Sequence, residues 1–146
     1  MHRPQPIFAD GIRRLFRAWS LLRNAYEAAC GEGAEARLRV QGILPYILQR
    51  LAVTKSTDAS EIARWLCDYI SDILNISCND GSPYQVAQLI AHGHTLLLAR
   101  DFGELTRLIC CIPQVCDFTP SSVERLLNAE DARSEDNNHG DGSADP

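Results

Sequence analysis

The side chains best suited to metal or redox chemistry are six cysteines and four histidines in a chain of 146 residues. No two cysteines have the Cys-x-x-Cys spacing of a zinc or redox site. His92 and His94 are two residues apart, so a helix would turn them to different faces, unlike the zinc-binding pair of a metalloprotease helix. Cys110, Cys111 and Cys116 with either histidine would be the best ligand set, but small buried thiols are the commoner use of such cysteines. The sequence therefore predicts no metal site and no cofactor. The cysteines are Cys30, Cys67, Cys78, Cys110, Cys111 and Cys116.

The motifs that bind nucleotides or create a nucleophile are missing as well. Gly31-x-Gly33 lacks the third glycine and the preceding strand of a dinucleotide-binding motif. The sequence contains no phosphate-binding loop and no Gly-x-Ser-x-Gly nucleophile elbow. Carboxylates are present, but no spacing in the sequence indicates that two of them face each other across a cleft. We therefore expect a protein that binds a partner and is not an enzyme.

The charge is distributed unevenly along the chain. Of 19 acidic and 14 basic residues, six acidic and one basic lie in residues 130–146, which leaves 13 of each in the remainder. This tail therefore carries the whole formal net charge of −5. A nucleic-acid interface would need a local basic face, because the overall field is not positive. The neutral body and acidic tail disfavour direct binding to nucleic acid.

The apolar residues, 45% of the chain, match the composition of a globular protein. No apolar run reaches the length of about 18 residues that a membrane span requires. The first residues lack the apolar core of a signal peptide. We therefore expect a nuclear or cytosolic protein with reduced cysteines and no membrane partner.

Apolar residues recur with the 3.6-residue period of helices through most of the chain, and no sustained period of two predicts a strand. Pro45 lies inside the second helical segment and predicts a kink or a break there. The fold class that follows is all-α, a compact bundle of about five to six helices with short loops over residues 6–128. Residues 129–146 should form a disordered acidic C-terminal tail. Helices are predicted over residues 6–29, 34–51, 59–76, 83–99, 102–112 and 120–128.

The third and fourth predicted helices are joined by a tight turn, and the fourth helix starts directly after it. Asp80-Gly81 is a turn dipeptide, because glycine tolerates positive φ and aspartate bonds its own backbone. Ser82 is the predicted N-cap, with Pro83 at the first helical position and Gln85 completing a capping box. This stretch should fix the point at which the two helices reverse direction.

Three segments of the chain resemble the pre-rRNA-processing, Trp-Gly-Gly-domain family. They are Phe8–Gly31, Asp58–Ile73, and Asp80-Gly81-Ser82 with the helix that follows it. The resemblance covers about residues 8–128, and an acidic tail after this point is also usual in the family. The chain departs from the family at Cys30-Gly31-Glu32, where only the middle glycine of the Trp-Gly-Gly motif is present. This difference indicates a divergent member.

The resemblance implies an escort function without catalysis. Members of the family act as a dedicated chaperone, or escortin, of the eukaryotic small-subunit ribosomal protein S twenty-six. They release this basic, zinc-bearing protein from its nuclear import receptor and deliver it to pre-40S particles, which supports maturation of the small-subunit rRNA. The implied partners are therefore the basic ribosomal protein and its import receptor, in the nucleus and the cytoplasm. On its own, the chain is expected to be a monomer.

Acidic side chains would have to contact such a cationic partner, and the sequence offers two groups of them. One group lies on the third predicted helix and in the turn after it, and the other lies in the tail. Taken singly, each of these residues is more often a solvated charge than a contact. The candidate partner-binding residues are Glu61, Asp68, Asp72, Asp80, Glu130, Asp131, Glu135 and Asp136.

The alternative function is a helical RNA-binding factor in rRNA processing. Its interface would be the arginines of the first predicted helix, which lie mostly opposite the apolar face. A solvated helix face is the commoner explanation of such arginines. They are Arg13, Arg14, Arg17 and Arg23.

Overall fold

The computed structural model describes residues 5–54, 58–77, 81–112 and 120–127. These ranges form eight α-helices and contain no strand, which confirms the predicted all-α class for the described residues. Residues 128–146 lie outside the described ranges, so the acidic tail and its boundary stay a prediction. The helices are α1 (Gln5–Ala18), α2 (Ser20–Cys30), α3 (Ala34–Gln41), α4 (Ile43–Val53), α5 (Ala59–Asp72), α6 (Ser82–Leu98), α7 (Phe102–Cys111) and α8 (Pro120–Leu127).

The first predicted helix is in fact two helices, α1 and α2, separated by Trp19. This residue has extended backbone angles (φ −79°, ψ 112°), and its side chain is only 1% exposed. Its ring N–H donates a hydrogen bond to the Ser82 hydroxyl oxygen at 3.0 Å, at the start of α6. Apolar residues keep their helical period through Trp19, so the sequence pattern did not reveal the break. The contact with α6 accompanies the change of chain direction.

The predicted interruption near Pro45 is confirmed, but the break between α3 and α4 falls at Gly42. Pro45 is the third residue of α4, where its missing N–H removes no helical hydrogen bond. A Cβ atom at Gly42 would lie 2.6 Å from the Tyr69 hydroxyl, so a larger residue there would displace the end of that side chain. The same hydroxyl donates to the Arg39 carbonyl oxygen at 2.7 Å.

The core is organised around α6, which packs against α5 and also contacts α1, α7 and α8. A smaller cluster of Ala29, Ala36 and Val40 holds α2 against α3. Burying each large aliphatic side chain contributes about 1.5–3 kcal/mol, so the main cluster supplies most of the driving force. Its largest fully buried side chains are Leu15, Trp19, Ile43, Ile47, Ile62, Leu66, Ile70, Val86, Ile90, Leu105 and Val123.

Aspartate side chains cap the starts of two helices, and the start of α6 differs from its prediction. Asp58 caps α5 by accepting from the Ser60 N–H at 3.2 Å, and Asp101 caps α7 by accepting from the Glu104 N–H at 3.3 Å. The prediction that Ser82 is the N-cap of α6 is wrong, because Gly81 occupies that position. Ser82 begins the helix itself and accepts the Trp19 hydrogen bond.

Candidate partner-binding face

Three of the predicted acidic residues form one line along α5. Glu61, Asp68 and Asp72 are separated by seven and four residues, so they lie on the same side of the helix. We call these three residues the acidic stripe, which is about 16 Å long at 1.5 Å per residue. Glu61 is half-buried in the first turn of the helix, and Asp68 and Asp72 are exposed.

The carboxylates of the acidic stripe are available for a partner. Within the described ranges, no arginine, lysine or histidine forms an ion pair with any of the three. The opposite side of α5 is buried, because Ile62, Leu66 and Ile70 pack in the core. The core therefore fixes the direction in which the stripe faces.

The other predicted contact residues cannot be placed relative to the stripe. Asp80 lies in the gap before α6, and the tail residues follow α8. Their part in one common surface stays a prediction. The residues outside the described ranges are Asp80, Glu130, Asp131, Glu135 and Asp136.

An arginine stacked on aromatic rings adjoins the stripe, and sequence reasoning missed it. The Arg50 guanidinium carbon lies 5.0 Å from the centre of the Tyr46 ring and 5.6 Å from that of the Trp65 ring. Tyr46 also contacts Tyr69, with ring centres 5.0 Å apart. The spacing of Tyr46 and Arg50, four residues apart on one helix, could have indicated the first contact. The contact with Trp65 joins α4 to α5 and left no signal in the sequence.

Burial has raised the pKa values of two groups on α5. The pKa of the Tyr69 hydroxyl lies above its ordinary value because of burial and, second, the neighbouring Tyr46. It therefore keeps the proton that it donates to the Arg39 carbonyl oxygen. Burial, and next the charge of Asp68, raise the pKa of the Cys67 thiol. This favours the thiol over the reactive thiolate.

The arginines of α1 provide only a partial basic face. Arg13 and Arg14 share one carboxylate, that of Asp10, at 3.4 and 3.2 Å. Arg17 and Arg23 are exposed. The alternative RNA interface would therefore rest on two exposed arginines and a pair that is already partly neutralised.

A small cleft between α6, α7 and α8 contains other polar side chains. His92, Glu104, Arg107 and Cys111 line it, and Glu104 forms an ion pair with Arg107. His94 is not part of this cleft, because its ring packs against Phe8 with centres 5.6 Å apart. No group of three His, Cys, Asp or Glu side chains that could hold a metal ion occurs among the described residues. No helix in the described ranges is long and apolar enough to cross a membrane.

The burial of His94 predicts that the stability of the fold depends on pH. The side chain is 5% exposed, and burial lowers its pKa below the ordinary value near 6.5. Below about pH 6.5 the unfolded chain binds a proton that the folded chain resists, so stability is lost as the pH falls. One such group gives a slope of at most about 1.4 kcal/mol per pH unit. Chemical denaturation between about pH 7.5 and 5 should show this loss.

Two variants separate the contribution of His94 from that of other groups. His94→Gln should flatten the dependence of the unfolding free energy on pH. His92→Gln serves as the matched control, because His92 lies two residues away on α6 and is less buried. If His94→Gln keeps the slope of the unchanged chain, the buried imidazole does not cause it.

The fold and the stripe together define a small helical-bundle protein with a line of carboxylates on one face. Comparison with protein families identifies the particular family. Residues 8–88 match the family model described as pre-rRNA-processing protein TSR2, WGG. This match spans more than half of the chain, so the protein belongs to the TSR2 (WGG) family of ribosome biogenesis factors that act in pre-rRNA processing. Searches of curated proteins and of solved structures found no match.

The family match confirms the resemblance inferred from the sequence. The matched residues include α1 from Phe8 onward, all of α2 to α5 and the first turns of α6. They therefore include Trp19, Arg50 and the whole acidic stripe.

Proposed function

We propose that the protein is a non-enzymatic escort of a basic small-subunit ribosomal protein. It binds this cargo, releases it from its import receptor and delivers it to pre-40S particles, moving between cytoplasm and nucleus. Membership of the family supports a role in ribosome biogenesis, because its members act in pre-rRNA processing. The observation that carries the proposal is the acidic stripe, whose carboxylates have no ion-pair partner among the described residues.

The physical reason for an acidic escort is the positive charge of its cargo. A ribosomal protein without its RNA is a strongly cationic chain that binds other polyanions and aggregates. A line of carboxylates can occupy the side chains that later contact phosphate groups. Long-range attraction between opposite charges also speeds the encounter and weakens with added salt. The predicted acidic tail would add to this attraction.

A binding measurement with defined cargo tests the proposal. The full chain is titrated with purified ribosomal protein S twenty-six, in its zinc-bound form, at about 0.05 M and about 0.5 M salt. We expect a complex at low salt that weakens markedly at high salt. An arginine homopeptide controls for attraction to cationic chains in general and should bind more weakly than the ribosomal protein.

A second measurement uses the import receptor and RNA. A preformed complex of receptor and ribosomal protein is mixed with the chain, and cargo transfer should appear as a new complex in size-exclusion chromatography. If no complex with the ribosomal protein forms at low salt, the escort proposal is wrong. If the chain instead shifts RNA in gels at low salt, the RNA-binding alternative replaces it, because phosphate binding is strongest there.

A further inference from the structure

We propose that Arg50 is a specificity-determining residue of the binding face. In this proposal the stacked guanidinium receives one carboxylate from the cationic partner and so sets the register of that partner along the acidic stripe. The partner segment is then a basic peptide stretch that contains an acidic side chain at one position. The inference rests on the proposed escort function. It adds the requirement that the partner carries one carboxylate at a fixed position, which charge attraction alone does not impose.

The first support is the way in which Arg50 is held. Its guanidinium lies over two aromatic rings at 5.0 and 5.6 Å, and the Trp65 ring beneath it is only 8% exposed. A cation–π contact uses the charge of the guanidinium and occupies none of its N–H donors. A side chain held in this way loses less conformational entropy when it binds a ligand.

The second support is that Arg50 does not pair with the carboxylates around it. Trp65 comes four residues after Glu61 and three before Asp68, so all three are neighbours on the surface of α5. Arg50 nevertheless forms no ion pair or hydrogen bond with a described residue, and its side chain is exposed. The donors of this arginine therefore remain available beside the acidic stripe.

The chemistry of the site selects the ligand. The donor fork of a guanidinium matches the two oxygens of a carboxylate or a phosphate. The charges of Glu61, Asp68 and Asp72 oppose a dianionic phosphate and a polyanion more strongly than a single carboxylate. The same charges attract the basic side chains on either side of that carboxylate. A basic peptide with one acidic residue satisfies both parts of the face.

The decisive experiment compares two arginine substitutions that change the net charge equally. Arg50→Gln should weaken binding of the ribosomal protein about tenfold or more, because it removes a charge-assisted hydrogen-bonded pair. Arg64→Gln is the matched control, since Arg64 is exposed on α5 without an aromatic contact or ion pair among the described residues. It should leave binding unchanged or tighten it. Simple charge attraction would tighten binding in both variants, so the sign of the effect separates the two explanations.

Two additional measurements identify the carboxylate. Arginine-rich peptides that differ only by one central glutamate or glutamine are titrated into the unchanged chain and both variants. The unchanged chain and Arg64→Gln should prefer the glutamate peptide, and Arg50→Gln should lose this preference. Arg50→Lys keeps the charge but not the planar fork, so it should lose part of the preference. Thermal melts establish that each variant is folded, and Arg50→Lys provides the comparison if Arg50→Gln is not.

The outcomes distinguish this inference from the function on which it rests. If the unchanged chain binds the ribosomal protein and Arg50→Gln binds it equally well or more tightly, the role of Arg50 is wrong and the escort function stands. The same conclusion follows if the two peptides bind equally. If the unchanged chain binds no ribosomal protein, both proposals are wrong.

Discussion

Replacing Trp19 by alanine should lower the free energy of unfolding by about 3–5 kcal/mol, the range for truncating a large buried aromatic side chain. The side chain is 1% exposed, and it lies where α1, α2 and α6 meet. Its removal would leave a cavity at the break between the first two helices, and it would also remove the hydrogen bond to Ser82. Urea denaturation followed by circular dichroism measures the loss.

A double-mutant cycle separates the hydrogen bond from the packing of the ring. Trp19→Phe keeps most of the apolar volume but removes the N–H, and Ser82→Ala removes the acceptor. We expect a coupling of about 0.5–1.5 kcal/mol between the two positions, the usual net value of such a bond. The cycle also accounts for any other contact of Ser82. Ser82→Ala removes that contact both from the unchanged chain and from Trp19→Phe, so its contribution cancels. If the two losses simply add, the hydrogen bond does not stabilise the junction.

Trp19 also shows what the sequence can and cannot predict about this fold. Helix positions follow from the periodicity of apolar residues, because each helix must bury one face. A break such as that at Trp19 depends on where a side chain finds a partner 63 residues later in the chain. No local pattern contains that information. Gly42 is a related case, since Pro45 indicated an interruption but the break falls three residues earlier, at Gly42 beside Tyr69.

The candidate partner-binding face also has one feature that the sequence could predict and one that it could not. The alignment of Glu61, Asp68 and Asp72 could be predicted, because seven and four residues bring side chains to one side of a helix. The position of Arg50 over Trp65 could not, because it depends on how α4 crosses α5. Local spacing therefore predicted the charges of the face, and tertiary packing placed Arg50 over Trp65 beside them.

Neutralising the acidic stripe should weaken binding of the ribosomal protein about 3- to 150-fold. The variant Glu61→Gln, Asp68→Asn, Asp72→Asn removes three carboxylates without changing side-chain size. Exposed charge pairs contribute about 0.2–1 kcal/mol each, and three of them give an effect of this size. The dependence of affinity on salt should also become shallower, because fewer charges meet at the interface. Titration calorimetry at two salt concentrations measures both quantities.

The fold should tolerate these three substitutions. Loss of Glu61 from the first turn of α5 costs about 0.3–1 kcal/mol through the helix dipole. Removing the repulsion between Asp68 and Asp72, four residues apart, returns about 0.2–0.5 kcal/mol. A loss of affinity in this variant would therefore report on the interface and not on unfolding.

A control with equal charge decides whether position or net charge matters. Glu27→Gln, Glu32→Gln, Glu124→Gln also removes three exposed carboxylates, but from α2, the turn after it and α8. If the partner lies along α5, this control should lose much less affinity than the stripe variant. Equal losses in the two variants would mean that the partner senses only the total charge. The specific contact surface on α5 would then be wrong, and the escort would act by long-range attraction alone.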